Sequence, residues 1–300
     1  MDIISLINCL SDPGCIMGQI INGLIIAMVM FLVASGLSLI LGILGVLNFA
    51  HGSLYMLGAY FTYTIMNSFG NFWWALIFAP IGVGLVGVLL ERFFIRKLYG
   101  LPELYTLLLT YAFILVFDDI VKLIWGIFDL SVPMPALFRR PPVDILGSIV
   151  PAYYIFLIMA GAVLVIGLYL LLTKTKYGKI INAAGENSEM LMCLGINVPL
   201  VYTSVFALGS MLAGLGAVLG APLRSMVPGM GFSVVIESFV LVVIGGMGNI
   251  MGTFAVALIF GLMRSFGILG FPFFELAFIY VLMVIVLIVR PSGLFGRKTT

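Results

Sequence analysis

GLSLILGILGVLNFAHGSLYMLGAY, residues 36 to 60, is a strongly apolar stretch that a continuous helix would not be expected to write. Gly42, Gly45 and Gly52 interrupt it, and Asn48, His51 and Ser53 place three polar side chains among the aliphatic ones. Glycine costs a helix about 1 kcal/mol relative to alanine and opens positive φ to the backbone. Freed backbone groups at membrane depth are tolerated only where protein buries them or a cavity hydrates them. The stretch therefore reads as a membrane segment broken on purpose, beside a pathway.

The surroundings agree. Of 300 residues 63% are hydrophobic and 9% charged, and the mean hydropathy is +1.28. A soluble domain carries roughly 25% charged residues, so this chain lacks the polar shell a soluble fold needs. Apolar runs fall at 20–44, 53–67, 73–90, 104–125, 151–172, 199–221, 234–248, 252–270 and 273–290. A span takes about 20 apolar residues, so the fold expected is all-α, one polytopic domain over 1–300 with about eight or nine transmembrane helices. Barrel strands would alternate, which these runs do not. No cleavable signal peptide is expected, because the start lacks a basic region and the first apolar run is too long.

Nine of the fourteen Lys and Arg residues lie in three clusters at run ends: Arg92, Arg96, Lys97; Lys174, Lys176, Lys179; Arg290, Arg297, Lys298. The positive-inside rule puts all three in the cytoplasm, and the parity of the intervening runs agrees. The N-terminus is then outside and the C-terminus inside a multi-pass cytoplasmic membrane. A second break, Gly245, Gly246, Gly248, Asn249 and Gly252, stands 200 residues after the first. At that offset Gly45 meets Gly245, Gly52 meets Gly252 and Ser53 meets Thr253, which suggests a weak two-fold internal repeat in the same orientation.

The longest polar stretch, KTKYGKIINAAGENSEMLMCLGIN at 174–197, is cytoplasmic by this topology. Glu186, Asn187 and Ser188 are good starters for a short helix running to Leu194, and Gly195 is a good stop. About 25 residues is long for a connector here and suits docking to a soluble partner. Asp118, Asp119 and Lys122 stand at helical spacing as an interfacial charge group. Arg264 and Glu275 sit inside apolar runs and must face protein or water. Cys9 and Cys15 flank a turn-forming stretch on the outer side, where both the bonded and the free state are open. The lone histidine, His51, is far from every cysteine, so no metal site is expected. No GxxxxGK[ST] occurs, nor any catalytic constellation, so the chain binds no ATP of its own and no cofactor.

Residues 36–60 closely resemble the signature of the branched-chain amino-acid ABC permease family, the LivH-like permeases. GENSEMLMCLGIN, 185–197, resembles its coupling loop, VVIGGMGNIMGTFAVALIFG, 242–261, its second glycine-rich segment, and the end from Arg290 to Gly296 its usual C-terminus. The loop departs from the family's alanine-rich pattern. The resemblance implies the permease subunit of a periplasmic-binding-protein-dependent ABC importer, working by ATP-driven alternating access. It implies a second permease subunit, itself or a homologue, two cytoplasmic ATPase subunits and a periplasmic solute-binding protein as partners, and no nucleic acid. Gly45, Asn48, His51, Gly52, Ser53, Gly245, Gly246, Gly248, Asn249 and Gly252 would then border the translocation path. Gly185, Glu186, Asn187, Met190, Leu191, Leu194 and Gly195 would couple to an ATPase, with Met190, Leu191 and Leu194 as its apolar contact. Arg224 and Glu237 bracket an outer loop that would meet the binding protein. Asn48, His51 and Ser53 either satisfy backbone groups freed by the glycines or touch the solute; a third role, proton coupling by His51, would ordinarily need a buried acidic partner. Family members take branched-chain and other amino acids, urea, short amides or organic acids. A secondary transporter or channel without ATPases is the rival class, and an intramembrane enzyme the third.

Overall fold

The computed structural model describes residues 3–139, 141–271, 275–290 and 293–296. Twelve α-helices stand among them: α1 Ile3–Leu10, α2 Pro13–Leu44, α3 His51–Phe69, α4 Phe72–Phe93, α5 Glu103–Trp125, α6 Ala152–Lys174, α7 Lys176–Glu186, α8 Ser188–Cys193, α9 Val198–Gly220, α10 Met230–Gly245, α11 Ile250–Gly270 and α12 Glu275–Val289. Each apolar run predicted from sequence falls on a helix. Five segments are long and apolar enough to cross a membrane outright: α2, α4 with the 3-10 turn after it, α6, α9 and α11. Residues 230–245 and 279–289 are shorter apolar helices.

Two pieces differ from the sequence reading. The strands β1 Val143–Ile145 and β2 Ser148–Val150 form an antiparallel hairpin. Its two-residue turn puts Leu146 and Gly147 at φ 54° and 86°, the sign a tight hairpin demands, and the Gly147 N–H donates to Asp144 Oδ1 at 2.8 Å. The other is α7, helical where a loop was expected. Thr175 caps it by accepting the Gly178 N–H at 3.0 Å, and Ile181 and Ala184 turn inward.

The central element is α2, 32 residues or about 48 Å long. Asp12 caps its start by accepting the Gly14 N–H at 3.0 Å, Pro13 fills a first-turn position whose N–H would be an orphan, and Gly45 ends it at φ 66°. At this start Cys15, in the first turn of α2, is joined in a disulfide to Cys9 of α1, their Cα atoms 5.2 Å apart. Helix α9 runs antiparallel to α2: Gly209 faces Gly36, and further along α9 Gly216 faces Val29, Leu32 and Val33. Helix α11 lies along another side of α2, and α4 lies along α9.

The packing corrects the repeat expected from the 200-residue offset. What α4 does to α9, α11 does to α2; α3 packs on α9 as α10 packs on α2; α5 lies on α3 as α12 lies on α10. The equivalent sets are thus α2–α5 and α9–α12, and because α2 and α9 are antiparallel the repeat is inverted. Glycines at 45, 52, 245 and 252 coincide at offset 200, yet that register would make α12 the counterpart of α4, and α12 packs on α10 and α11 instead.

The first break is shorter than expected. Residues 45–50 are non-helical, whereas His51, Gly52 and Ser53 form the first turn of α3. The chain doubles back along α2, so that His51 stands beside Gly36 and its Nε2 lies 3.0 Å from the Val33 carbonyl oxygen. Its counterpart is the α9–α10 connection at 221–229, which pairs with the 130 region through Leu130 and Met226. The starts of α3 and α10 meet where Gly52 packs on Gly231. A Cβ on Gly231 would stand 2.9 Å from the Ser53 nitrogen, and one on Gly52 would overlap the Gly231 carbonyl. Gly167, by contrast, has open space around it. Gly52→Ala is therefore expected to cost about 1–3 kcal/mol as overpacking and to lower the thermal unfolding midpoint in detergent. Gly167→Ala, inside α6 with room for the methyl group, should raise that midpoint slightly, and equal midpoints for both variants would contradict the close contact.

Candidate functional site

At the end of α2 where Gly45 stops it, three elements converge. A cleft of about 480 Å³ opens between α2, α7 and the second break, lined among others by Ser38, Gly42, Asn182, Glu186 and Gly248. The second break is a four-residue turn, 246–249, with Gly246 and Gly248 at φ 95° and 78°; Gly245 ends α10 and Gly252 belongs to α11. Asn249 makes the turn. Its Oδ1 accepts the Gly252 N–H at 2.9 Å, and its Nδ2 donates to the Phe295 carbonyl at 2.7 Å. The Leu294 N–H donates to the Ile244 carbonyl at 2.8 Å, so the C-terminal segment is pinned against both sides of the turn. Gly248 packs on Gly42, a Cβ on Gly185 would come within 3.3 Å of the Ile43 Cα, and a Cβ on Gly245 within 2.7 Å of the Thr253 Cα. The segment expected to couple thus abuts the end of α2, which in turn abuts the second break.

Helix α8 begins as the sequence suggests: Asn187 Oδ1 accepts the Met190 N–H at 2.9 Å, and Gly195 follows at φ 77°. Glu186, at the end of α7, is exposed. The apolar contact expected of this helix is divided. Met190 and Leu194 are 63% and 70% exposed, but Leu191 is 5% exposed and packs inward, so it fastens α8 to its own chain and is not part of an outer face.

Beside α8, the end of α4 carries a group that sequence reading passed over. Glu91 is fully buried. Arg96 grips it with two bonds, Nε to Oε1 at 3.0 Å and an Nη to Oε2 at 3.0 Å. The Tyr99 hydroxyl donates to Oε1 at 3.0 Å and the Thr203 hydroxyl to Oε2 at 2.9 Å, while the Arg96 guanidinium also bonds Thr203. Burial and then the Glu91 carboxylate push the Tyr99 phenol far above its ordinary range, so it remains a donor. A buried charge this completely paired ties the end of α4 to the first turns of α9. Arg96 was legible only as a cytoplasmic charge; the apolar run ending at Glu91 hid its partner.

Around the first break Asn48, His51 and Ser53 are buried, as is Ser38 on α2. They do not satisfy freed backbone groups, since the partner of His51 Nε2 is the Val33 carbonyl inside α2. Both amide atoms of Asn48, His51 Nδ1, Ser53 Oγ and Ser38 Oγ have no hydrogen-bond partner among the described residues. Such orphans are rare in folded proteins and ordinarily mark bound water or a ligand position.

Arg224 and Glu237 do not share an outer loop. Glu237 lies inside α10, 7% exposed, and its Oε2 accepts from Arg264 Nη1 on α11 at 2.9 Å, so it is not a docking residue. Arg264 thereby gains the partner its apolar run required. Arg224 follows α9 and sets its guanidinium 5.9 Å over the Tyr55 ring. Lys122 pairs with Asp118 at 2.6 Å and Asp119 at 3.4 Å, as the spacing suggested. The Glu275 side chain, Arg297 and Lys298 lie outside the described residues.

Single cysteines at Met190, Leu191 and Leu194 test the division of α8. In inverted membrane vesicles, maleimide should modify the cysteines at 190 and 194 at least tenfold faster than the one at 191. Equal rates at all three would contradict the inward packing of Leu191.

The family profile described as branched-chain amino acid transport system / permease component matches residues 19–287. The high-affinity branched-chain amino acid transport system permease protein BraD of Pseudomonas aeruginosa is 28% identical over 293 residues, 93% of this chain and 95% of its own. The corresponding LivH of Escherichia coli is 27% identical over 93% of this chain and 95% of its own length. LivM of Escherichia coli is 26% identical over 90% of this chain and 68% of its own. No solved structure matches the chain. A profile match over nearly the whole chain, on a helical fold whose glycine turns hold its ends together, establishes that this protein belongs to the branched-chain amino acid transport system permease component family and is itself a permease component of such an ABC system, not a catalyst.

Proposed function

We propose that this chain forms, with a second permease subunit, the membrane pathway of a binding-protein-dependent importer for branched-chain or related amino acids. It crosses the cytoplasmic membrane about eight or nine times, with the N-terminus outside and the C-terminus inside. Two ATPase subunits supply the work at 185–195, and a solute-binding protein delivers cargo on the outer face. The observation that carries this reading is the seating of α7 and α8. They are joined to the end of α2 through Gly185 and, through α9 and Thr203, to the Glu91–Arg96 pair on α4. Displacement of this segment therefore has a stiff route into both halves of the repeat. Each state then binds solute with its own affinity, and ATP shifts the populations between them.

The disulfide supports the orientation, since such bonds persist on the oxidising side of a bacterial membrane. Cys193, an exposed free thiol on α8, is a native reporter of the other side. In intact cells an impermeant thiol reagent should leave Cys193 unmodified, and in inverted vesicles it should modify it; labelling in intact cells overturns the topology.

Coupling has its own test. Leu194→Asp places a charge on the exposed apolar patch without disturbing buried Leu191. In the reconstituted complex, uptake should fall at least tenfold and ATP hydrolysis should stop responding to loaded binding protein, while the chain still inserts. Wild-type uptake by Leu194→Asp, or uptake by this chain in vesicles holding no ATPase, would refute the coupling role and favour a secondary transporter.

A further inference from the structure

Arg224 and Arg264, distant in sequence, line one cleft of about 250 Å³ between α2, the end of α9 and α11. The rest of its wall is aliphatic, with Ile25, Val29, Leu223 and Ile268 among the residues facing it. The two guanidiniums are held differently. Arg264 is committed to Glu237 on α10. Arg224 is positioned by the face of Tyr55, and no carboxylate lies within ion-pair reach of it among the described residues. Tyr55 engages this guanidinium through its ring and its hydroxyl, which take only part of the five-donor fork, and the two arginines share the field of one carboxylate, Glu237. A cation between apolar walls is costly to maintain, and an anion seated there offsets the cost.

We propose that this cleft binds the carboxylate of an aliphatic amino acid, with Arg224 as the recognition group and the α2 and α11 side chains around the aliphatic body. The inference rests on the solute class proposed above. The volume suits it: the cleft is smaller than the ~300–1,000 Å³ of drug-sized pockets and fits a leucine-sized solute.

The same chemistry, an anionic head on an apolar body, also belongs to an anionic phospholipid. The test separates the two. In the assembled complex, with Cys193 replaced by serine, Ile268→Cys places a thiol on the cleft wall at a position 44% exposed. Its alkylation rate is measured in phosphatidylcholine vesicles with leucine, with isovalerate, which keeps the carboxylate and lacks the ammonium, and with leucinamide, which lacks the carboxylate. Leucine and isovalerate should slow alkylation at least fivefold and leucinamide should not. Arg224→Gln should abolish the protection and Arg224→Lys should keep part of it, both with unaltered alkylation when no ligand is present. Equal protection by leucinamide, protection that survives Arg224→Gln, or no protection by any ligand would overturn the proposal. Protection that appears with phosphatidylglycerol and is indifferent to leucine would assign the cleft to lipid and overturn it equally. ATP-dependent uptake by the wild-type complex in the same vesicles reports separately: protection without uptake would sink the transport reading and leave the cleft standing.

Discussion

Everything in this fold hangs on the antiparallel approach of α2 and α9 at Gly36 and Gly209, where backbone meets backbone. Between helices in a bilayer there is no hydrophobic driving force, since lipid tails are as apolar as leucine, and cohesion comes from close packing and a few polar bonds. Small residues allow that closeness: a Cβ on Gly209 would stand 2.8 Å from the Gly36 carbonyl oxygen. The polar bonds sit toward the ends of the packed pairs. Thr203 and the Glu91–Arg96 pair tie α9 to α4, and Ser265 Oγ donates to the Gln19 carbonyl at 2.8 Å to tie α11 to α2. These ties stand at equivalent places in the two halves, and together they hold four helices around the central crossing.

From that crossing the irregular segments follow. A helix as long as α2 overshoots its neighbour, so the chain must return along it before α3 begins beside Gly36, and 45–50 is that return. The connection 221–229 performs the same task after α9, and the two returning strands bring the first turns of α3 and α10 together at Gly52 and Gly231. Two helix starts meeting head to head direct their unbonded N–H groups toward a common place. The orphaned atoms of Asn48, His51 and Ser53 lie on the first of those starts.

Much of this was legible in the sequence, and the failures have physical causes. Apolar length identified the helices, because the bilayer demands length and tolerates few charges. The glycine breaks were legible because glycine in an apolar run has a cost, but their extent was not: His51, Gly52 and Ser53 are helical, since a glycine that allows close approach looks in sequence like one that ends a helix. The register of the repeat was misread for the same reason. Glycines mark contacts, and contacts recur at offsets unrelated to an inverted duplication. In α8 six residues have too few turns to say which side is inward, so Leu191 looked like Met190 and Leu194. Glu237 was read only as bracketing an outer loop, because its partner Arg264 is 27 residues away and on another helix.

The placement of the charges adds a last constraint. In a chain with so few ionisable side chains, Glu91 and Glu237 are buried and each is gripped by an arginine, one beside the proposed coupling segment and one beside the cleft at the opposite end of the repeat. Removing one member of such a pair leaves an uncompensated buried charge, commonly worth 3–5 kcal/mol. Pairs of this kind resist local opening and let the helices they join move as units. The compliant places must then be elsewhere, at the turns whose glycines and lone cap residues hold them: 45–50, 221–229 and 246–249. In the importer proposed above, motion delivered through α7 and α8 would therefore travel as rigid shifts of α2 and α9, with bending confined to those three turns.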